Sequence, residues 1–165
     1  MDDRTCMVEI ARYYVNFLAG ESCGKCTPCR EGLKALRETL EAICEGKGKV
    51  EHLAFMQDIG ETMQTASLCA LGRTAANPVL STLNYFRDEY LAHINEGRCP
   101  AGVCRDLTEF YIDAELCTGC GLCSKNCPVD GISGEKKEPH VIDQEKCIRC
   151  GECVNQCKFN AIKVR

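Results

Sequence analysis

The chain has 165 residues, 16 of them cysteine, with five Pro, five Tyr, five Phe and no Trp. Setting cysteine aside lowers the 45% apolar fraction to about a third, enough for one or two small cores and too thin for one large enzyme domain. The formal charge of -4 is unremarkable and gives no sign of the basic face a nucleic-acid binder usually carries, and no apolar stretch approaches the roughly 18 residues of a membrane span.

Such a cysteine density leaves a disulfide scaffold or a metalloprotein. The opening MDDRTCMVEIARYY lacks the basic flank and apolar run of a secretory leader, which favours a metalloprotein in the cytoplasm.

Up to about residue 96 the apolar residues keep helical spacing: Ile10, Tyr14 and Phe17; Leu33, Leu36, Leu40 and Ile43; Val50, Leu53, Met56 and Met63; Leu83, Phe86, Tyr90 and Ile94. Thr27-Pro28 opens the second helix, Gly46-Lys47-Gly48 ends it and Asn77-Pro78 starts the fourth. The pattern predicts a four-helix bundle over residues 1–95. Residues 96–107, rich in Gly and Pro around EGRCPAGVC, read as a linker.

From there the chain repeats itself with an offset of 30. Ile112-Asp113 matches Ile142-Asp143, CTGCGLCSKNC at 117–127 matches CIRCGECVNQC at 147–157, and Ile132 matches Ile162. In C-x2-C-x2-C-x3-C, three thiolates wrap one cluster and the fourth reaches the other. Cys117, Cys120, Cys123 and Cys157 are thereby expected to hold one 4Fe-4S cluster, and Cys147, Cys150, Cys153 and Cys127 a second. Zinc ribbons or disulfides are the bland alternative, disfavoured because zinc sites use paired C-x2-C knuckles. Residues 108–165 closely resemble the bacterial two-cluster ferredoxins. Pro128 follows the first fourth cysteine as usual, whereas Lys158 stands at the second, a charge that favours the reduced state of the cluster carrying Cys157 if it stays close. The fold class expected for the whole chain is α+β, a helical bundle followed by a ferredoxin-like domain.

SCGKCTPCR at residues 22–30 repeats the tripod without a nearby fourth cysteine. Cys69 follows after a stretch long enough for two antiparallel helices that go out and return; the alternative is that Cys69 is merely a small buried residue. ESCGKCTPCREG followed by SLCALGRTAANPVLSTLNYFRDEY resembles the C-terminal cluster domain of the NADH-binding flavoprotein subunit of respiratory complex I. That resemblance implies one 4Fe-4S cluster on Cys23, Cys26, Cys29 and Cys69, fed by FMN. The family's FMN and NADH domain precedes this region, and no glycine-rich phosphate loop occurs here, so the chain reads as a piece beginning at an internal methionine.

A ferredoxin-like tail on this bundle resembles the beta subunit of multimeric NAD(P)-linked FeFe hydrogenases, some of them electron-bifurcating, and related formate dehydrogenase complexes. The resemblance implies a hydrogenase catalytic subunit, a thioredoxin-like 2Fe-2S subunit and soluble ferredoxin as partners, with FMN and NAD(P) bound only by the full-length subunit. The segment itself reads as an electron-transfer module with no turnover of its own and no catalytic acid, base or nucleophile. A standalone multi-cluster ferredoxin and a non-redox zinc-binding interaction protein are the alternatives. Four cysteines remain. His93, Cys99 and Cys104 form H-x5-C-x4-C, weak evidence for zinc taken alone. The expected topology brings Cys44 to the same pole as the fourth ligand, with Cys6 as runner-up. The resemblance implies such a zinc site as a hinge before the ferredoxin domain.

Overall fold

Helix α2, Thr27–Cys44, is the axis of the N-terminal half in the computed structural model, which describes residues 5–164. Pro28 sits in its first turn, where a missing N–H costs nothing. Leu33, Leu36, Leu40 and Ile43 are fully buried, each contributing roughly 1.5–3 kcal/mol by leaving water. Helices α1 (Met7–Glu21) and α3 (Glu51–Ala66) flank it. After Gly46, whose φ of +74° ends α2, the chain returns along α3 as expected.

Two features differ from the sequence pattern. The core face of α1 is Met7, Val8, Ala11 and Val15, while Tyr14 and Phe17 stay exposed; this helix is apolar on more than one side, and periodicity alone does not choose between them. The expected fourth helix, starting at Asn77-Pro78, is two pieces, α5 (Asn77–Tyr85) and α6 (Arg87–Asn95), and a short helix that the pattern did not predict, α4 (Ala70–Thr74), precedes them. Phe86 leaves the helical region at φ -131°, ψ 35°. The bend lets the buried Tyr90 hydroxyl meet Thr82 Oγ1 at 2.7 Å. The N-terminal half is therefore helix-rich, with six helices rather than four among the described residues.

The chain divides into two compact units, one running to Leu107 and the other starting at Thr108. Residues 96–107 belong to the first: Cys99, Cys104 and Leu107 lie in the helical core, and Arg105–Leu107 form a 3-10 turn.

The second unit is built on the repeat. Strand β1 (Phe110–Ile112) pairs antiparallel with β4 (Ile162–Val164), Ile112 opposite Ile162. Strand β2 (Ile132–Ser133) pairs with β3 (Val141–Ile142), Ile132 opposite Ile142. Each two-stranded sheet joins the start of one repeat to the end of the other. Equivalent bonds recur 30 residues apart: Asp113 N–H donates to Ala161 O at 2.7 Å and Asp143 N–H to Gly131 O at 2.8 Å. Short helices α7 (Leu122–Lys125) and α8 (Glu152–Gln156) follow Gly121 and Gly151, both in the left-handed region near φ 75°.

Candidate metal centres

The eight cysteines of the second unit fall into two groups, each lining its own small cavity. Cys117, Cys120, Cys123 and Cys157 share one; Cys147, Cys150, Cys153 and Cys127 share the other. The fourth cysteine of each repeat thus faces the cavity of the other repeat, because β1–β4 and β2–β3 pairing crosses the chain over. Amide hydrogens point at sulfur in the same pattern: Gly131 N–H at Cys127 Sγ (3.2 Å), Ala161 N–H at Cys157 Sγ (3.3 Å) and Arg149 N–H at Cys147 Sγ (3.4 Å). Donors directed at thiolates in an apolar cradle are what an anionic iron-sulfur cluster requires. Burial pushes the Cys153 thiol up to about 11, which disfavours its thiolate, and a bound metal would restore it.

Four cysteines of the helical unit gather about the starts of α2 and α4. Cys26 precedes α2, Cys29 lies in its first turn, Cys23 is in the preceding loop and Cys69 precedes α4. Helix α4 is pressed against the tripod: a Cβ at Gly72 would lie 3.1 Å from the Cys29 Cβ. The Leu68 amide, then that of Cys29, lower the Cys26 thiol. The segment carrying Cys69 therefore reaches the tripod, as the outward and return course of α2 and α3 allows.

A different geometry appears around α6. Cys6, His93, Cys99 and Cys104 are all buried, and their ligand atoms lie within 4.8 Å of one another. Tetrahedral bonds of about 2.3 Å to sulfur and 2.0 Å to nitrogen set ligand atoms roughly 3.5–3.8 Å apart. Cys6 Sγ is 3.3 Å from His93 Nε2 and 3.8 Å from Cys104 Sγ, and His93 Nε2 is 3.4 Å from Cys104 Sγ. The donor set fits a single ion. His93 Nδ1 lies 2.7 Å from the Glu89 carbonyl, an interaction in which Nδ1 carries the proton and Nε2 presents its lone pair. With no metal bound, burial draws the His93 pKa down, but the Cys6 and Cys99 sulfurs outweigh it and push it up to about 10, so a metal would take the place of the Nε2 proton. Cys104, then Cys6, pull the Cys99 thiol far below its ordinary value.

Cys44, the expected fourth member, lies outside this group of four, and Cys6, the runner-up, lies inside it. Cys6 caps α1, and Met7 N–H donates to Glu89 Oε2 at 2.9 Å, which holds the start of α1 against α6. Cys44 is close to Cys104, but its thiol turns to Glu9 Oε2 at 3.7 Å, a carboxylate already paired with Arg12.

Residues 9–93, just over half of the chain, match the NADH-ubiquinone oxidoreductase-F iron-sulfur binding region. The chain belongs to this family. Residues 109–158 match a 4Fe-4S dicluster domain. The chain is 48% identical over 140 residues to the NADP-reducing hydrogenase subunit HndC of Solidesulfovibrio fructosivorans, covering 85% of this chain and 29% of that one. It is 46% identical over 99 residues to the F-type subunit of NADH-quinone oxidoreductase in Mycobacterium bovis, covering 60% and 22%. The crystal structure of NAD+-reducing NiFe-hydrogenase in the H2-reduced state superposes with a TM-score of 0.55 at 36% identity, covering 57% of this chain and 16% of that one. The chain thus spans less than a third of the length of these relatives.

As a member of the oxidoreductase-F iron-sulfur family with a dicluster domain attached, the chain is an iron-sulfur electron-transfer module, and 4Fe-4S clusters are its cofactors. Among the described residues no helix is long and apolar enough to cross a membrane. Sequence reasoning missed His140 and Ser67. His140 lines the cavity of Cys117 where the repeat places Phe110 in the other, and the 30-residue offset could have revealed it. Ser67, buried beside Cys29, left no signal beyond its place two residues before Cys69.

Proposed function

We propose that the chain is the iron-sulfur relay of an NAD(P)-linked hydrogenase-type flavoprotein subunit, carrying three 4Fe-4S clusters and one zinc ion. Cys23, Cys26, Cys29 and Cys69 hold the first cluster. Cys117, Cys120, Cys123 and Cys157 hold the second, and Cys147, Cys150, Cys153 and Cys127 the third. Cys6, His93, Cys99 and Cys104 hold zinc. When bound, the clusters supply one-electron carriers; the chain fixes their positions and sets their potentials through burial and amide-to-sulfur hydrogen bonds. FMN and NAD(P) belong to the remainder of a longer subunit. A hydrogenase catalytic subunit, a thioredoxin-like 2Fe-2S subunit and soluble ferredoxin are the proposed electron partners.

The observation that carries this reading is the crossed sharing of eight cysteines between two similar cavities. A pair of zinc ribbons would group each repeat's cysteines with themselves. Protein purified without oxygen is expected to be brown and to contain about 12 Fe and one Zn per chain. Reductive titration followed by electron paramagnetic resonance is expected to resolve three clusters. A colourless, zinc-only protein sinks the proposal.

A further inference from the structure

Ser67 caps the C-terminal end of α3, two residues before Cys69, and its main chain is held on both sides. Its N–H donates to the Met63 carbonyl at 3.2 Å, and its own carbonyl accepts from Arg73 Nε at 2.9 Å. The residue is 1% exposed, yet its hydroxyl has no hydrogen-bond partner. Buried hydroxyls nearly always have one. The backbone of α4 closes over the side chain: a Cβ at Gly72 would sit 2.7 Å from Ser67 Cβ, 2.8 Å from its Oγ and 3.1 Å from Cys29 Cβ. The hydroxyl is therefore sealed from water on the side where the tripod lies. Ser22, the other serine beside the tripod, is already engaged, with Oγ 3.4 Å from Cys29 Sγ and accepting from Gly24 N–H at 3.3 Å. Ser67 alone of the two lacks an acceptor, and what the site would add is sulfur.

We propose that the Ser67 hydroxyl donates a hydrogen bond to a cysteine sulfur of the tripod when the cluster is bound, and that this bond raises the potential of the helical-unit cluster. The inference rests on reading Cys23, Cys26, Cys29 and Cys69 as that cluster's ligands. Reduction adds one electron, which the iron and sulfur atoms share. An O–H donor bonds more strongly to the more negative sulfur, so it stabilises the reduced form over the oxidised one. No proton is transferred; the hydroxyl keeps its hydrogen in both states. Ser67 acts as a positioning and tuning residue, with no ligand role of its own.

The test is a reductive titration of the full, metal-loaded chain and its Ser67→Ala and Ser67→Cys variants, read by electron paramagnetic resonance. Ser67→Ala is expected to lower the midpoint of the helical-unit cluster on the order of tenfold in its reduced-to-oxidised ratio, about 59 mV for one electron. The two clusters of the second unit serve as internal references and keep their midpoints. Ser67→Cys retains a weaker donor of similar size and is expected to fall between. An unchanged midpoint in Ser67→Ala with iron content intact overturns the proposal. If Ser67→Ala does not retain its cluster, Ser67→Cys decides, and an unshifted midpoint there overturns it. Failure of the underlying reading looks different: the unmodified chain would then hold about 8 Fe and show only the clusters of the second unit.

Discussion

Gly119 and Arg149 occupy the same place in the two repeats, both in the left-handed region, at φ 65° and 55°. Only Gly119 has a steric reason to be glycine. A Cβ there would lie 2.4 Å from Glu138 N and 2.6 Å from Lys137 C, both backbone atoms that have little room to yield, and Lys137 N–H donates to Gly119 O at 3.1 Å. Gly119→Ala is expected to destabilise the second unit by about 2–4 kcal/mol, from backbone strain plus overlap, seen as loss of iron during purification. Arg149→Gly is expected to change stability by less than about 1 kcal/mol, measured by chemical unfolding of the loaded protein. The choice between Cys6 and Cys44 belongs to the same scale. Cys6→Ser is expected to abolish stoichiometric zinc, whereas Cys44→Ser retains it, as read by metal analysis after desalting; the reverse result would restore Cys44 as the ligand. His93, Cys99 and Cys104 were legible as a spaced motif. The fourth member was not, because either of two thiols at one pole satisfies the topology and only side-chain direction separates them.

At the scale of elements, the break at Phe86 shows how periodicity conceals a bend. Leu83, Tyr90 and Ile94 keep helical spacing across it, so an unbroken helix was the natural expectation. The structure instead stitches α5 to α6 with one buried bond. Thr82 Oγ1 donates to the Pro78 carbonyl at 2.8 Å and accepts from Tyr90 OH at 2.7 Å. Tyr90→Phe removes that second bond while leaving Thr82 its backbone partner, and is expected to cost about 1 kcal/mol in unfolding free energy. Burial raises the Tyr90 phenol, so the hydroxyl keeps its proton and the bond persists across the physiological range. By contrast, the turns at Thr27-Pro28, Gly46 and Asn77-Pro78 were all legible, since a fixed φ, a missing N–H or a left-handed glycine acts locally.

For the whole molecule, the two units differ in what holds them together. The helical unit has a continuous aliphatic core including Leu33, Leu36, Leu40, Ile43, Met56 and Met63. The buried core of the second unit is Phe110, Ile132, Ile142 and Ile162 with Cys123 and Cys153, too little to stabilise a domain of this size without its metal. Chelation of iron is expected to leave residues 108–164 open to proteolysis while α1–α6 survive; mass mapping of the fragments distinguishes this from uniform unfolding.

What the sequence by itself determined is the presence of 4Fe-4S chemistry, carried by closely spaced cysteines, together with a 30-residue repeat and the boundaries of the long helices. These are local signals, set by thiolate spacing and by turn residues whose backbone preferences act over a few positions. The tertiary structure decided which thiol completes the buried four-residue group, which face of α1 enters the core, where the last helix bends and that Ser67 is sealed beside the tripod without a partner. Those outcomes depend on how helices distant in sequence press against one another, because burial and side-chain direction are settled by packing across the core and leave no period along the chain.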